Sequence, residues 1–223
     1  MLPSNDARKQ MVDSQLAGRG VRDSRVLEAM ASVPREAFLP AQFASHAYDD
    51  GPLDIGLGQT LSQPYIVALM LEWLELEPGA RVLDIGCGSG YVAALLSHMG
   101  ARVIGVERHA ELARRASQSL REVGSSARIL AADAGALVLP QRFDAIHVAA
   151  AGEEVPRAWL DALVIGGRLV MPVGPEDGLQ FLERWTRRSV DDFQREIDTP
   201  VRFVPLIDDS DQSGPQATAS ATR

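Results

Sequence analysis

The sequence is poor in the features that mark secreted, membrane-spanning and nucleic-acid-binding proteins. It has one cysteine, Cys87, which excludes an intramolecular disulfide and is typical of a reducing compartment. No apolar run approaches the ~20 residues of a membrane-spanning helix, and the N-terminal residues resemble neither a secretory signal nor an Arg-rich transit peptide. The net charge of −8 would repel a polyphosphate. We therefore predict a cytoplasmic protein that binds neither membranes nor nucleic acid.

Basic clusters and metal-ligand patterns are also scarce. The one dense basic cluster, RWTRRSV near residue 187, is short and more typical of a charged strand edge than of a binding patch. The histidines are His46, His98, His109 and His147. Because their spacing matches no metal-ligand pattern, we predict no metal site.

Strand patterns alternate with helix patterns from residue 81 onward. Short apolar runs such as RVLDIG and RVIGVE alternate with amphipathic stretches such as HAELARRASQSLREVG. This order predicts an α/β fold with a doubly wound, Rossmann-like sheet that binds ligands at the carboxyl ends of its strands. We also expect two amphipathic helices within residues 5–32. The late runs GGRLVMPVG, LQFLERWTR and VRFVPL predict an antiparallel C-terminal edge.

The segment VLDIGCGSGY at 82–91 predicts a strand, a glycine loop and the start of a helix, which in outline is a nucleoside-cofactor site. The loop residues that we assign to cofactor binding are Gly86, Cys87, Gly88 and Gly90. The dinucleotide fingerprint G-x-G-x-x-G fails, because its third glycine would fall at Tyr91. Asp84, near the strand end, would repel a pyrophosphate and attract a cation.

Acidic residues stand at the ends of three successive predicted strands, namely Asp84, Glu107 and Asp133. S-adenosylmethionine carries a sulfonium and an ammonium group, so an acidic strand end suits it better than it suits NAD. Glu107 is placed to accept hydrogen bonds from both ribose hydroxyls, and Asp133 to meet the adenine amino group. Singly, each carboxylate also fits a helix cap or a solvated turn residue. Together with the glycines, the set predicts an S-adenosylmethionine site.

A polar stretch, YDDGPLDIGLGQTLSQP, precedes the first apolar strand. A helix should follow it, since Ser62 stands at a typical N-cap position and Pro64 falls in the first helical turn. On spacing alone, a capping role for Ser62 is favoured over a catalytic one. We interpret the small residues around 56–58 as a lid over a site.

Four segments resemble the protein-L-isoaspartate O-methyltransferase family. They are GQTLSQP, VLDIGCGSGY, VPRAWLDALVIGGRLVMPVG and VRFVPL, and the resemblance covers roughly residues 8–206. The glycine loop alone indicates some S-adenosylmethionine enzyme, whereas Gln-Thr-x-Ser-Gln-Pro is far more specific. The resemblance implies a repair enzyme that methylates the free α-carboxylate of isoaspartyl residues in damaged proteins.

The resemblance also implies roles for individual residues. It makes Ser62 the active-site residue, while Gln59 and Thr60 shape the junction of cofactor and substrate. The peptide would be held by the main chain of Pro172, Val173 and Gly174. The chemistry suits a hydroxyl: the carboxylate is already ionised at pH 7, so no general base is needed. A Lys or Arg would stabilise the charged ground state more than the neutralising transition state.

Four positions differ from the usual pattern of the family. Asp54 stands where Pro is common, and Leu57 where His or Gln is common. Ala132 and Ala134 flank Asp133 where glycines are typical. These differences bear on the loop geometry near the adenine and on the range of substrates.

We expect one methyltransferase domain over residues 1–207. Within it, residues 1–60 supply the N-terminal helices and the active-site loop, 61–175 the cofactor-binding core and 176–207 the C-terminal strands. Residues 208–223 are polar and free of aromatics, which predicts a disordered tail.

Three alternatives to repair stay open at this point. A related carboxyl methyltransferase acting on a dedicated peptide in biosynthesis has the same sequence features. A nicotinamide oxidoreductase is disfavoured by the failed fingerprint and by Asp84. A non-catalytic module that binds damaged peptides would fit if the loop substitutions block the cofactor.

Overall fold

A seven-stranded sheet forms the centre of the computed structural model, which describes residues 5–139 and 142–206. Its strands are β3 (Arg81–Ile85), β4 (Arg102–Glu107), β5 (Arg128–Ala131), β6 (Phe143–Val148), β7 (Leu163–Val173), β8 (Gln180–Arg187) and β9 (Phe193–Val201). They are preceded by a hairpin of β1 (Leu53–Gly56) and β2 (Gln59–Leu61). The order in the large sheet is β5-β4-β3-β6-β7-β8-β9, parallel through β7 and antiparallel at β8 and β9. The predicted Rossmann-like sheet with an antiparallel C-terminal edge is confirmed.

Helices connect the strands and cover the sheet. They are α1 (Asn5–Gln10), α2 (Ser24–Ser32), α3 (Pro64–Trp73), α4 (Tyr91–His98), α5 (Ala110–Glu122) and α6 (Arg157–Asp161). The two predicted N-terminal helices are present, although α1 widens into a π-helical turn at Met11–Leu16. No helix in the described parts of the chain is long and apolar enough to cross a membrane. The predicted disordered tail, 208–223, lies outside the described residues.

The core lies on both faces of the sheet, because successive side chains of a strand point to opposite faces. Val82 of β3 joins one buried cluster, whereas Leu83 and Ile85 join the other. Helix α4 contributes to the first cluster and α6 to the second. This two-sided burial explains why β3 reads as an almost continuous apolar run.

The strand order reverses beside β3, and this reversal places the site. From β3 the chain moves outward to β4 and β5, then returns to β6 on the other side of β3. The loops that leave β3 and β6 therefore diverge and open a crevice beyond the carboxyl ends of the strands, where open α/β sheets bind their ligands.

The polar stretch before the sheet forms the β1–β2 hairpin, in which Asp54 pairs with Thr60. The turn at 56–58 has positive φ throughout, including 57° at Leu57, which is about half exposed. The Asp54 side chain accepts a hydrogen bond from the Gly56 amide at 2.6 Å, which stabilises the turn. The hairpin is also tethered to α5, since Arg115 donates to the Ile55 carbonyl at 3.0 Å.

The prediction of a continuous strand over VRFVPL, residues 201–206, is wrong: Val201 belongs to β9 and Pro205 makes only an isolated bridge to Ala151. The last strand is β9, which ends at Val201, and residues 202–206 follow it as an extended segment. This segment lies beside the loop after β6: the Ala151 amide donates to the Val204 carbonyl at 2.9 Å, and the Leu206 amide to the Ala151 carbonyl at 2.6 Å. Strand β9 escaped the sequence analysis because it is an edge strand made largely of exposed polar and charged residues.

The predicted N-cap at Ser62 is also wrong. Helix α3 begins at Pro64, as the proline indicates, but the capping position is occupied by Gln63, whose side chain makes no capping bond. Ser62 lies one residue outside the helix. Its hydroxyl is therefore not committed to the helix terminus.

Candidate active site

A cleft opens at the carboxyl ends of the parallel strands. Its walls are Gln59 and Thr60 of the hairpin, Ile85 at the end of β3 with Gly86 and Gly88 of the loop that follows, residues 106–109 at the end of β4, 132–134 after β5, 149–150 after β6, and 204–206 of the C-terminal segment. The structure thus brings six of the nine predicted cofactor residues to one cavity, namely Gln59, Thr60, Gly86, Gly88, Glu107 at the end of β4 and Asp133 just after β5. Ala132 and Ala134, where glycines were expected, also line it.

The glycine loop approaches its neighbours too closely for side chains. Gly88 has φ of 51°, and a Cβ there would lie 3.1 Å from Cδ1 of Ile55. Gly90 has φ of 85°, and a Cβ there would lie 3.1 Å from Cβ of Ala116 on α5. Gly88 therefore lets the hairpin close on the loop. Gly90, which does not line the cleft, lets α4 pack against α5.

Glu107 fixes the floor of the cleft. It is only 4% exposed, and its two carboxylate oxygens accept hydrogen bonds from the amides of Gly88 and His109, each at 2.9 Å. An ionised carboxylate has about four lone-pair positions, so Glu107 keeps acceptor capacity toward the cleft. This capacity suits the adjacent hydroxyls of a ribose.

Asp133 provides a second acceptor in the cleft. Its Oδ1 accepts a hydrogen bond from the Gly135 amide at 2.8 Å, which leaves Oδ2 for a ligand. His109 also lines the cleft, and its buried Nε2 has no hydrogen-bond partner in the described residues. Acidic acceptors at two neighbouring strand ends and an open glycine loop fit an adenosine whose far end is cationic. The spacing of His109 from the other histidines did not mark it, and its one sequence signal is its position just after β4.

Asp84 and Cys87 lie behind the glycine loop instead of lining the cleft. Asp84 is fully buried, and its Oδ1 is 2.7 Å from Nδ1 of His147 on β6. Burial, followed by the charges of Asp84 and Glu107, raises the pKa of the Cys87 thiol well above its usual range. Cys87 is thus an unreactive packing residue of the loop, and a direct contact of Asp84 with the cofactor stays a prediction.

Ser62 lies in a groove that joins the cleft. The groove is lined by Pro52, Thr60, Ser62, Gln63, Ile66 and residues 200–203. Thr60 lines both cavities, so the groove and the cleft meet at this residue. The Ser62 hydroxyl makes no hydrogen bond within the described residues and remains available at the junction.

Arg35 holds the Ser62 segment in place, a function that the sequence analysis missed. Its guanidinium is fully buried, with Nη2 donating to the Ser62 carbonyl at 2.7 Å and Nε to the Ala47 carbonyl at 2.8 Å. It lies 5.2 Å from the centre of the Tyr91 ring. Burial lowers the pKa of Arg35 to about 10, which still leaves it charged at neutral pH. The one sequence signal was an arginine between the apolar residues of SVPREAF.

The predicted peptide-holding residues lie away from both cavities. Pro172 and Val173 belong to β7 and pair with β8. The Pro172 carbonyl accepts from the Gly152 amide at 3.4 Å, and the Gly174 amide donates to the Gly152 carbonyl at 2.9 Å. Residues 200–203 line the groove instead. The predicted segment 172–174 thus supports the loop after β6, and its contact with a peptide stays a prediction.

Comparisons with known proteins agree with this geometry. Residues 6–211 match the family model of protein-L-isoaspartate(D-aspartate) O-methyltransferase. A protein-L-isoaspartate O-methyltransferase of Methylorubrum populi is 53% identical over 203 residues, which are 90% of this chain and 95% of the relative. Another of the same name, numbered 1, from Rhodopseudomonas palustris is 50% identical over 91% of this chain and 83% of its own length.

A solved structure has the same fold. It is a putative protein-L-isoaspartate O-methyltransferase from Plasmodium falciparum in complex with S-adenosyl-L-homocysteine, and it superposes with a TM-score of 0.79 at 28% identity. The match covers 90% of this chain and 98% of that one.

Proposed function

The chain belongs to the protein-L-isoaspartate(D-aspartate) O-methyltransferase family, and from this premise we propose that it methylates the free α-carboxylate of isoaspartyl residues in damaged proteins, with S-adenosylmethionine as methyl donor. The observation that carries the proposal is the meeting of an acidic nucleoside cleft and an open groove at Thr60, beside an uncommitted Ser62 hydroxyl. A two-substrate transfer needs such a junction, because both reactants must reach one point from different sides.

The cleft residues would hold the donor. Glu107 would accept from its ribose hydroxyls and Asp133 from its adenine amino group, while Gly86 and Gly88 give the main chain close access. When bound, S-adenosylmethionine supplies a methyl group on a positively charged sulfur. The negative charge of Asp84, buried behind the loop, favours a cation on this side of the cleft.

The groove residues would hold the acceptor. An isoaspartyl residue occurs in many sequence contexts, so its enzyme should bind the peptide mainly through the main chain. Residues 200–202, which line the same groove as Ser62, would offer such a surface, whereas the main chain of Phe203 is bonded to Gln180. The Ser62 hydroxyl would donate to one carboxylate oxygen and orient the other.

Alignment is the main catalytic contribution that this arrangement offers. Holding two reacting atoms near 3 Å in a productive geometry can lower a barrier by about 7–11 kcal/mol. Arg35 fixes the Ser62 main chain, and the lid role predicted for the turn at 56–58 would restrict water at the site. Since the carboxylate is already ionised, the residues around it need only to position it.

A pair of synthetic peptides tests the proposal. The two peptides have identical sequences, but one carries isoaspartate and the other aspartate, and transfer of a labelled methyl group from S-adenosylmethionine is followed as base-labile ester. We expect label on the isoaspartyl peptide only. Label on neither peptide, with the donor bound, would contradict the proposed acceptor.

Several finer statements rest on sequence alone. The cytoplasmic location rests on the single cysteine, and the absence of a nucleic-acid partner rests on the net charge of −8. That residues 1–207 form one domain is likewise our proposal.

A further inference from the structure

A small cavity lies between Ser62 and the glycine loop. It is lined by residues 60–62, residues 86–89, Val67, Met70, Val92, His147, Ala149 and Phe203. Two of these lining residues carry a buried polar atom without a hydrogen-bond partner in the described residues, Nε2 of His147 and Oγ of Ser89. The function described above uses neither of them. Buried polar atoms without partners cost about 1–3 kcal/mol each, so they indicate a ligand in this cavity.

The orientation of His147 is fixed from behind by Asp84. Both side chains are at most 1% exposed, and Nδ1 lies 2.7 Å from Oδ1 of the carboxylate. An ionised carboxylate can only accept, so Nδ1 carries the hydrogen of this bond. In the neutral ring, Nε2 is then an acceptor that faces the cavity. A ligand in this cavity must therefore donate a hydrogen bond to Nε2.

One water molecule meets this demand. The cavity volume is about 30 Å³, and a water needs roughly 10–15 Å³ and two to four polar partners. We propose that His147 is a positioning residue for Ser62, acting through one water in this cavity. The water donates one hydrogen to Nε2 of His147 and the other to Oγ of Ser62, and it accepts from the Ser89 hydroxyl.

The direction of the hydrogen bonds in this network has a consequence for the reaction. Because Ser62 Oγ accepts from the water, its own hydrogen is left to point into the groove. The chain from Asp84 through His147 to Ser62 thus selects the donor orientation of the hydroxyl, which is the orientation that a substrate carboxylate requires. This inference rests on the proposed methyl transfer and names a residue that orients its acceptor.

A double-mutant cycle tests the link. His147→Asn keeps an amide N–H at the position of Nδ1, toward Asp84, and removes the atom that faces the cavity. We expect it to lower kcat about fivefold, the value of one modest hydrogen bond, with unchanged KM for S-adenosylmethionine. Because His147 acts through Ser62, adding His147→Asn to Ser62→Ala should cause no further loss. Multiplied losses in the double variant would overturn the proposal, since independent sites have additive free energies.

Two further variants separate positioning from folding. His147→Gln returns an acceptor to the cavity and should restore much of the lost kcat. His98→Gln, on the exposed end of α4, is the matched control and should behave like the wild type. If His147→Gln is as slow as His147→Asn although both have wild-type thermal unfolding, the polar atom has no role.

An NMR measurement keeps the inference separate from the proposed function. In protein labelled with ¹⁵N-histidine, long-range ¹H–¹⁵N correlations should show His147 with Nδ1 protonated and Nε2 as a hydrogen-bonded acceptor. A His147 protonated at Nε2 overturns the inference, whatever the activity. A wild type that shows the expected tautomer but does not methylate the isoaspartyl peptide refutes the proposed function and leaves the hydrogen-bond network supported.

Discussion

Two walls of the site are built in different ways. The glycine-loop wall, residues 86–90, is held by its neighbours in the parallel sheet: the Gly88 amide donates to Glu107, which stands at the end of the next strand. The Ser62 wall is held from a distance, by Arg35 from the N-terminal region and by Arg115 of α5 acting on the hairpin. The glycine-loop wall, hereafter the cofactor wall, is thus a property of one local motif. The Ser62 wall, hereafter the substrate wall, depends on contacts between remote segments.

Breaking the cofactor wall should have the largest effect. Glu107→Ala removes the acceptor of two loop amides and the proposed ribose acceptor. Hydrogen bonds with charged groups contribute about 1.5–3 kcal/mol each, so we expect S-adenosylmethionine affinity to fall about 100-fold by calorimetry. The matched control is Glu111→Ala at an exposed position of α5. Equal affinities of Glu107→Ala and the control would show that the cleft is not the cofactor site.

Loosening the substrate wall should have an intermediate effect. Arg35→Lys keeps the charge but cannot reach both carbonyls, so one buried acceptor loses its partner. We expect unfolding free energy to fall by about 1–3 kcal/mol and kcat to fall several-fold, while cofactor affinity stays near the wild-type value. Denaturant unfolding and steady-state kinetics measure these changes, with Arg121→Lys at an exposed position as control. A loss of cofactor affinity equal to the loss of kcat would mean that the two walls are not separable.

The pattern of correct and wrong predictions follows the same division. The sheet, the glycine loop and the position of Glu107 and Asp133 at the cleft could be predicted because strand ends and glycines are local signals. Their contacts with a cofactor stay predictions. The link between Arg35 and Ser62 could not, because it joins residues that only the tertiary fold brings together. The pairing of residues 172–174 with β8 and with the loop after β6 could not be predicted for a related reason, since a resemblance names residues without showing which main-chain groups are already paired.

The placement of Asp84 shows a finer limit. The sequence puts it near the end of β3, but Ile85 is the last residue of the strand. Because side chains alternate, Asp84 points to the face of the sheet that Val82 shares, where His147 meets it. Adjacent strand residues therefore have different positions: Ile85 lines the cleft, whereas Asp84 is buried beside it. Strand β9 was not predicted because its residues are too polar to show the apolar pattern of a strand.

The smallest effect concerns the rigidity of the cofactor wall. Burial raises the pKa of Cys87 well above its usual range, so the reactive thiolate is scarce at neutral pH. We expect native protein to resist thiol-labelling reagents at pH 7 and to label rapidly once unfolded. Labelling of the native protein as fast as the unfolded one would show that the loop opens freely.

Cofactor titration of Ser62→Ala beside Glu107→Ala tests the separation of the two walls most directly. We expect Ser62→Ala to bind S-adenosylmethionine like the wild type while its kcat falls about tenfold, as the loss of one hydrogen bond allows. Glu107→Ala should lose affinity. If Ser62→Ala loses as much affinity as Glu107→Ala, then Ser62 belongs to the cofactor site and the division proposed here is wrong.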